Sequence, residues 1–429
     1  VRAAAPPTTT WGLLRHNVDY RRVFFAQVIC QGGDWFTMIP LILLMQRLTG
    51  SGALGAVLLS VETFVIAGLS LVAGSLLDRF DRRKILIVCL LGSSLAIGLL
   101  FLISSAATAL LGVATYALLA VGKAFFTPAV NTIVPDLVER HGLLAATTGL
   151  GSVWGVMLVL GSTLGGLVSS FASPYVCFGV TFLGYLIAGL SLLRLPKLGR
   201  AATDVPRLRL SAFVSDSRSV FRAAKTSRMI GALILAKPGT NIGNGILAVF
   251  PSIALMLSSG EPALIASFLF AARGIGALIG PMLARPIVRA GIQPRRALLA
   301  TITLFGVAYA LMAMQTSAPL AIILVIVAHI GGSATASLSN YGLQQESPAA
   351  LRGRIFAFDN MFSMLAIGIS QLVAAVLIGV LPAPTLVQLF GGITVVYGIV
   401  WFLCSRRAES EGGVRGAEPD LSRSRTRPT

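Results

Sequence analysis

Long apolar runs recur along the chain, each closed by a short break of polar, glycine or proline residues. Within a run the apolar positions are continuous and show no alternation with period two. The runs therefore predict helices, and a transmembrane β-barrel is excluded. Hydropathy divides the chain into twelve predicted spans. Spans 1 to 6 cover residues 23–46, 53–77, 85–104, 108–128, 143–170 and 174–193. Spans 7 to 12 cover 229–256, 262–284, 297–315, 319–341, 355–381 and 385–404. The expected organisation is a cytoplasmic leader (1–22), an N-terminal six-helix half (23–193), a cytoplasmic linker (194–228), a C-terminal six-helix half (229–404) and a disordered tail (405–429). In the linker, Phe213, Val214, Val220 and Phe221 interleave with Arg218, Arg222, Lys225 and Arg228, the pattern of an amphipathic helix lying on a membrane surface. The leader is polar up to Asn17, and no cleavable signal is expected in it.

Composition agrees with the pattern: of 429 residues, 55% are hydrophobic and 12% charged. That is more apolar surface than one soluble core can hide. The net charge of +18 adds a direction. Thirty of the 34 Lys and Arg fall on the side of the termini, Arg47 alone falls in an opposite-side loop, and Lys123, Lys237 and Arg273 lie inside spans. By the positive-inside rule, both termini and the linker are expected in the cytoplasm, with the chain in a bacterial inner membrane. Basic residues distributed in this way do not form a nucleic-acid face. The four cysteines lie on four different runs with no metal-binding spacing, so no cofactor and no metal is expected.

The two halves also repeat. Gly33-Asp34 precedes Gly239-Thr240 by 206 residues, as Gly74 and Arg79 precede Gly280 and Arg285. Beyond that loop the offset becomes 213, pairing Arg82-Arg83 with Arg295-Arg296 and Pro135 with Pro348. One insertion after span 8 accounts for the change, and the pattern is that of two parallel six-span repeats.

Three motifs carry a resemblance. Gly74-Ser-Leu-Leu-Asp78-Arg79-Phe-Asp81-Arg82-Arg83-Lys84 follows span 2, and Gly161-Ser162-Thr-Leu-Gly165-Gly166 lies in span 5. Gly33-Asp34-Trp35-Phe36-Thr37 lies within the first span, accompanied by Pro135-Asp136-Leu137 and Leu351-Arg352-Gly353-Arg354. Together they resemble the major facilitator superfamily, in the drug-exporter branch that includes macrolide efflux pumps and the enterobactin exporter. Asp81 stands where the family loop has glycine, and Ser162 where the exporter motif has proline. The resemblance implies that Gly74, Asp78, Arg79, Arg82 and Arg83 form a conformational latch, with Asp78 set against the start of span 11. On helix-end electrostatics alone, an aspartate can accept hydrogen bonds from such an N-terminus. Gly161, Gly165 and Gly166 are read as helix-packing residues.

Ionisable residues inside spans are costly, at about 2.5 to 3.5 kcal/mol each, and so need a partner, a water-filled cavity or a task. Spans 3, 6, 9 and 12 contain none, and those are the four that the family fold turns toward lipid. At about 1.5 Å per residue, Asp34, Glu62, Arg273 and His329 fall near the midplane, while Lys123 and Asp359 fall near the cytoplasmic ends. Asp34 and Glu62 are the candidate proton carriers, or else the partners of a static ion pair with Arg273 or Lys237. Lys237, Asn241, Asn244, Arg273 and His329 are the candidate cavity residues. The expected protein is a proton-coupled exporter of a small amphipathic molecule such as a drug, natural product or siderophore, working as a monomer in the bilayer. An uptake permease or uniporter of the same fold is the alternative. A membrane enzyme or scaffold is more distant, because no HExxH, GxSxG or Walker motif occurs.

Overall fold

The computed structural model describes residues 9–77, 80–139, 142–196, 227–258, 260–348 and 351–405. All regular structure among them is helical. Eleven helices of the described residues are long and apolar enough to cross a membrane, against twelve expected. The remaining run, span 2, is a helix over Ala53–Leu77 whose apolar stretch covers Ala53–Leu69. The predicted amphipathic linker helix, the tail, and Asp78 and Arg79 of the latch lie outside the described residues.

Local chemistry sets several boundaries. A short helix, Thr10–His16, forms within the leader, and span 1 then starts at Val18, five residues earlier than expected, because Asn17 caps it by accepting from the Tyr20 amide. The same helix ends at Thr49, where Gly50 takes the left-handed conformation (φ 71°) that glycine adopts without strain. Span 3 begins at Arg82, one residue after Asp81, whose carboxylate accepts from the Arg83 amide at 3.0 Å.

Span 4 departs from expectation. Pro128 was expected to close it, yet the helix runs over Leu110–Leu137, through both Pro128 and Pro135. A proline removes one helical hydrogen bond, but neighbouring helices make that loss tolerable inside a membrane. Span 8 likewise passes Pro281 and Pro286, running from Pro262 to Arg289. Span 7 is broken instead, into helices Arg228–Ile234 and Lys237–Gly243, a 3-10 segment Asn244–Val249, and a last helix Phe250–Leu257. Pro238 and Pro251 sit at starts of these pieces. Gly243 and Gly245 admit Phe305 and Phe390 to within 2.5 and 2.7 Å of where a Cβ would stand.

The helices form two groups that meet in one region. Apolar residues from both pack in a shared cluster, from Ile39, Ile42 and Leu58 to Phe250, Phe270 and Leu386. On the side of the termini the clusters are separate: one around Tyr20, Leu90, Val134 and Leu192, another around Ile230, Leu298, Leu343 and Trp401. Among the described residues the groups are thus joined on the far side and share no buried cluster on the terminal side. Span 5 meets span 8, and span 2 meets span 11. A Thr63 to Gln371 hydrogen bond of 3.2 Å crosses the second of these seams. Exposed rows such as Val88 and Leu95 on span 3, Ile187 on span 6, Leu311 on span 9 and Val396 on span 12 form a surface suited to lipid.

Candidate functional site

Because span 4 continues to Leu137, Lys123 lies at the middle of its helix and not near an end. There its ammonium donates to Asp34 Oδ2 at 2.6 Å and also to Glu62 Oε1. One lysine therefore holds two carboxylates, from spans 1 and 2. The Tyr116 hydroxyl, two turns before Lys123, donates to the Asp34 carbonyl oxygen at 3.1 Å and fixes that turn of span 1. Asp34 is 2% exposed, and its Oδ1 has no hydrogen-bond partner among the described residues.

The second group carries a smaller version. Lys237, at the start of the second piece of span 7, donates to Asp359 Oδ2 and, at 2.6 Å, to Asn340 Oδ1. Asp359 Oδ1 is again buried without a partner among the described residues. Neither carboxylate of the first group pairs with Arg273 or Lys237, the partners considered for a static pair. The in-span carboxylates are taken by Lys123 and Lys237.

Arg273 stands apart. Its guanidinium carbon lies 5.5 Å from the Trp35 ring centroid and 5.8 Å from that of Trp154. Counting Asp34, Glu62 and Asp359 against Lys123, Lys237 and Arg273, the six in-span charges balance formally, but not locally. The Lys123 triad has one carboxylate in excess, and Arg273 has a positive charge with no carboxylate on it.

His329 is held by the aromatic residues of a neighbouring span. Its Nε2 is 2.7 Å from the Tyr309 hydroxyl, and the ring packs edge-on against Phe305 and Tyr309 of span 9. Asn244 Nδ2 donates to the Thr240 carbonyl at 3.1 Å, within its own span, and the Asn241 carbonyl accepts from Ser370 Oγ on span 11 at 3.3 Å. Arg82 reaches Asp136 Oδ2 and the Thr132 carbonyl, each at 3.1 Å, while Arg83 donates to the Leu193 carbonyl. These two arginines bind the ends of spans 3, 4 and 6 together. Gly74 lies in the span 2 helix.

The span 5 glycines sit at close crossings. A Cβ at Gly161 or Gly165 would stand 2.7 Å from the Gly32 carbonyl oxygen or 2.5 Å from that of Phe36 on span 1. At Gly166 it would stand 1.8 Å from Ser267 Oγ on span 8. Ser162 donates to the Leu158 carbonyl at 2.5 Å, inside its own helix. Among the described residues no group of His, Cys, Asp and Glu forms a metal site.

The family model for transmembrane secretion effectors matches residues 8–377, most of the chain. The chain belongs to this family. Transmembrane secretion effectors are major facilitator transporters, not enzymes, and other comparisons agree. Multidrug efflux pump Tap of Mycolicibacterium fortuitum is 24% identical over 344 residues, covering 78% of this chain and 82% of that protein. Macrolide efflux protein A of Streptococcus pyogenes is 25% identical over 323 residues, covering 70% and 75%. A crystal structure of a POT family transporter in complex with 5-aminolevulinic acid superposes with a TM-score of 0.75 at 13% identity, covering 94% of this chain and 98% of that one. This likeness shows the major facilitator fold.

For this secretion effector, sequence reasoning missed Lys123 as the hub, Asp359 and Asn340 as partners of Lys237, and the two tryptophans beside Arg273. A signal for the first was available. The apolar pattern of span 4 resumes after Pro128 as Ala129-Val130 and Ile133-Val134, which extends the span and centres the lysine.

Proposed function

We propose that this chain is a proton-coupled exporter of a small amphipathic molecule, working by alternating access with both termini in the cytoplasm. The observation that carries the reading is the shared lysine: Asp34 and Glu62 together hold one more negative charge than Lys123 can balance. A bound proton neutralises the triad, and its release restores one net charge. Removing an uncompensated charge from a low-dielectric site is worth several kcal/mol, enough to bias one arrangement of the helices over another. The triad draws on spans 1, 2 and 4, so its charge state acts on the helices that must move together.

The positive-inside distribution supports termini in the cytoplasm, which makes the separated ends of the two helix groups the inner side. In this reading the structure is inward-facing. The latch of Gly74, Asp78, Arg79, Arg82 and Arg83 acts at that inner end, and the six-span halves rock as units about the seams between spans 5 and 8 and spans 2 and 11. The efflux relatives favour export. Ser162, which sits inside the continuous helix Leu143–Phe171 and has the backbone N–H that the exporter motif's proline lacks, favours uptake as the second reading.

Reconstituted protein loaded with a labelled macrolide or siderophore tests the proposal by counterflow, with and without an imposed pH gradient. Gradient-accelerated movement of at least one compound is the expected result. Counterflow of a compound at a rate indifferent to the gradient would leave a uniporter and remove the proton.

A further inference from the structure

Arg273 projects from span 8 into the region where the two helix groups meet, and each of the three in-span carboxylates is bonded to a lysine and not to it. No ion pair or hydrogen bond joins it to another described residue. What it does touch is aromatic: the Trp35 ring from span 1 and the Trp154 ring from span 5. Cation–π contacts offset part of the cost of a cation in a membrane interior, but they supply no acceptor for five N–H groups. Trp35 adds a second unmet donor. Its side chain is 7% exposed, and its Nε1 has no partner among the described residues. Phe270 lies against the same ring at 6.1 Å and extends the apolar wall.

A place that offers unmet donors, a positive charge with no carboxylate bonded to it and flat apolar walls selects its ligand by chemistry. The ligand must bring acceptors and a negative charge, and guanidinium pairs with planar oxyanions through two parallel bonds. We propose that Arg273, flanked by Trp35 and Trp154, is the docking point for the anionic group, a carboxylate, sulfate or phosphate, of an amphipathic substrate with a flat apolar body. The inference rests on the transporter reading above and specifies its substrate class. Because Arg273 and the tryptophans belong to opposite helix groups, the bound anion touches both.

The test uses the full chain in detergent, with 1-pyrenebutyrate and 1-pyrenebutyltrimethylammonium as probes of one aromatic body and opposite charge. Energy transfer from tryptophan to pyrene reads binding. The wild type is expected to bind the anion more tightly than the cation. Arg273→Gln should weaken the anion by at least about tenfold and leave the cation unchanged, as losing a charged hydrogen-bond donor requires. Arg273→Lys, which keeps the charge without the fork, should fall between. A wild type that prefers the cation overturns the proposal even if the glutamine variant fails to fold, and so does equal weakening of both probes by Arg273→Gln. Binding is read without any gradient, so the two readings fail separately. An intact anion preference without gradient-driven movement removes proton coupling and keeps this site. Gradient-driven movement of the cation, indifferent to Arg273→Gln, does the reverse.

Discussion

At the scale of single residues, Lys123 is the group whose loss leaves most behind. Lys123→Met strands two buried carboxylates, and stranding one buried charge costs about 3 to 5 kcal/mol. Denaturation of the purified variant should therefore show a large loss of stability. Lys123→Met with Glu62→Gln should recover part of it, since one stranded charge has gone. If the double variant is as unstable as the single one, charge balance is not what Lys123 supplies. The conservative changes Asp34→Asn and Glu62→Gln probe function instead. Each should abolish acceleration by a pH gradient, and at least one should keep substrate exchange, measured side by side in the same vesicles. Full gradient-driven activity in both variants would exclude them as carriers.

At the scale of helices, the outcome at Asp81 is instructive. It stands where the family loop has glycine, yet its φ is −59°, so nothing there demands glycine, and its carboxylate caps span 3. Asp81→Ala should lose about 0.5 to 2 kcal/mol by thermal or chemical unfolding, and Asp81→Gly only a few tenths. Equal losses would mean that the cap bond contributes nothing. The seam between spans 5 and 8 makes a second prediction. Gly166→Ala puts a methyl group against Ser267, and overpacking of this kind costs about 1 to 3 kcal/mol. Transport should slow, and Ser267→Gly should restore part of the rate. Which helices exist was legible from hydropathy, because lipid demands continuous apolar runs. Where they end was legible only where a local cap decides, as at Ser173-Pro174 before span 6. It failed at Pro128 and in span 7, because whether a proline ends, kinks or breaks a membrane helix depends on the helices packed around it, which hydropathy does not carry. The charged pairs were misread for the same reason: a span cut short at Pro128 moved Lys123 away from Asp34.

At the scale of the whole molecule, the described residues of the two helix groups share a core on the far side and have separate cores on the terminal side, as one limit of an alternating-access cycle requires. The orientation has its own check. Single cysteines at Ser105→Cys and Ala383→Cys should react with an impermeant thiol reagent added outside intact cells, and Thr203→Cys and Ser422→Cys should not; the opposite pattern would invert the protein. The central claim is that the Asp34, Glu62 and Lys123 triad carries the proton that drives transport. It is tested most directly by trapping a pH-sensitive dye inside proteoliposomes and recording proton movement when a transported compound is added outside without an imposed gradient. The account predicts a dye response with the wild-type protein that is lost with Glu62→Gln or Asp34→Asn, while the compound still exchanges in at least one of the two. An undiminished proton signal in both variants, or transport by the wild type with no proton signal, would contradict it.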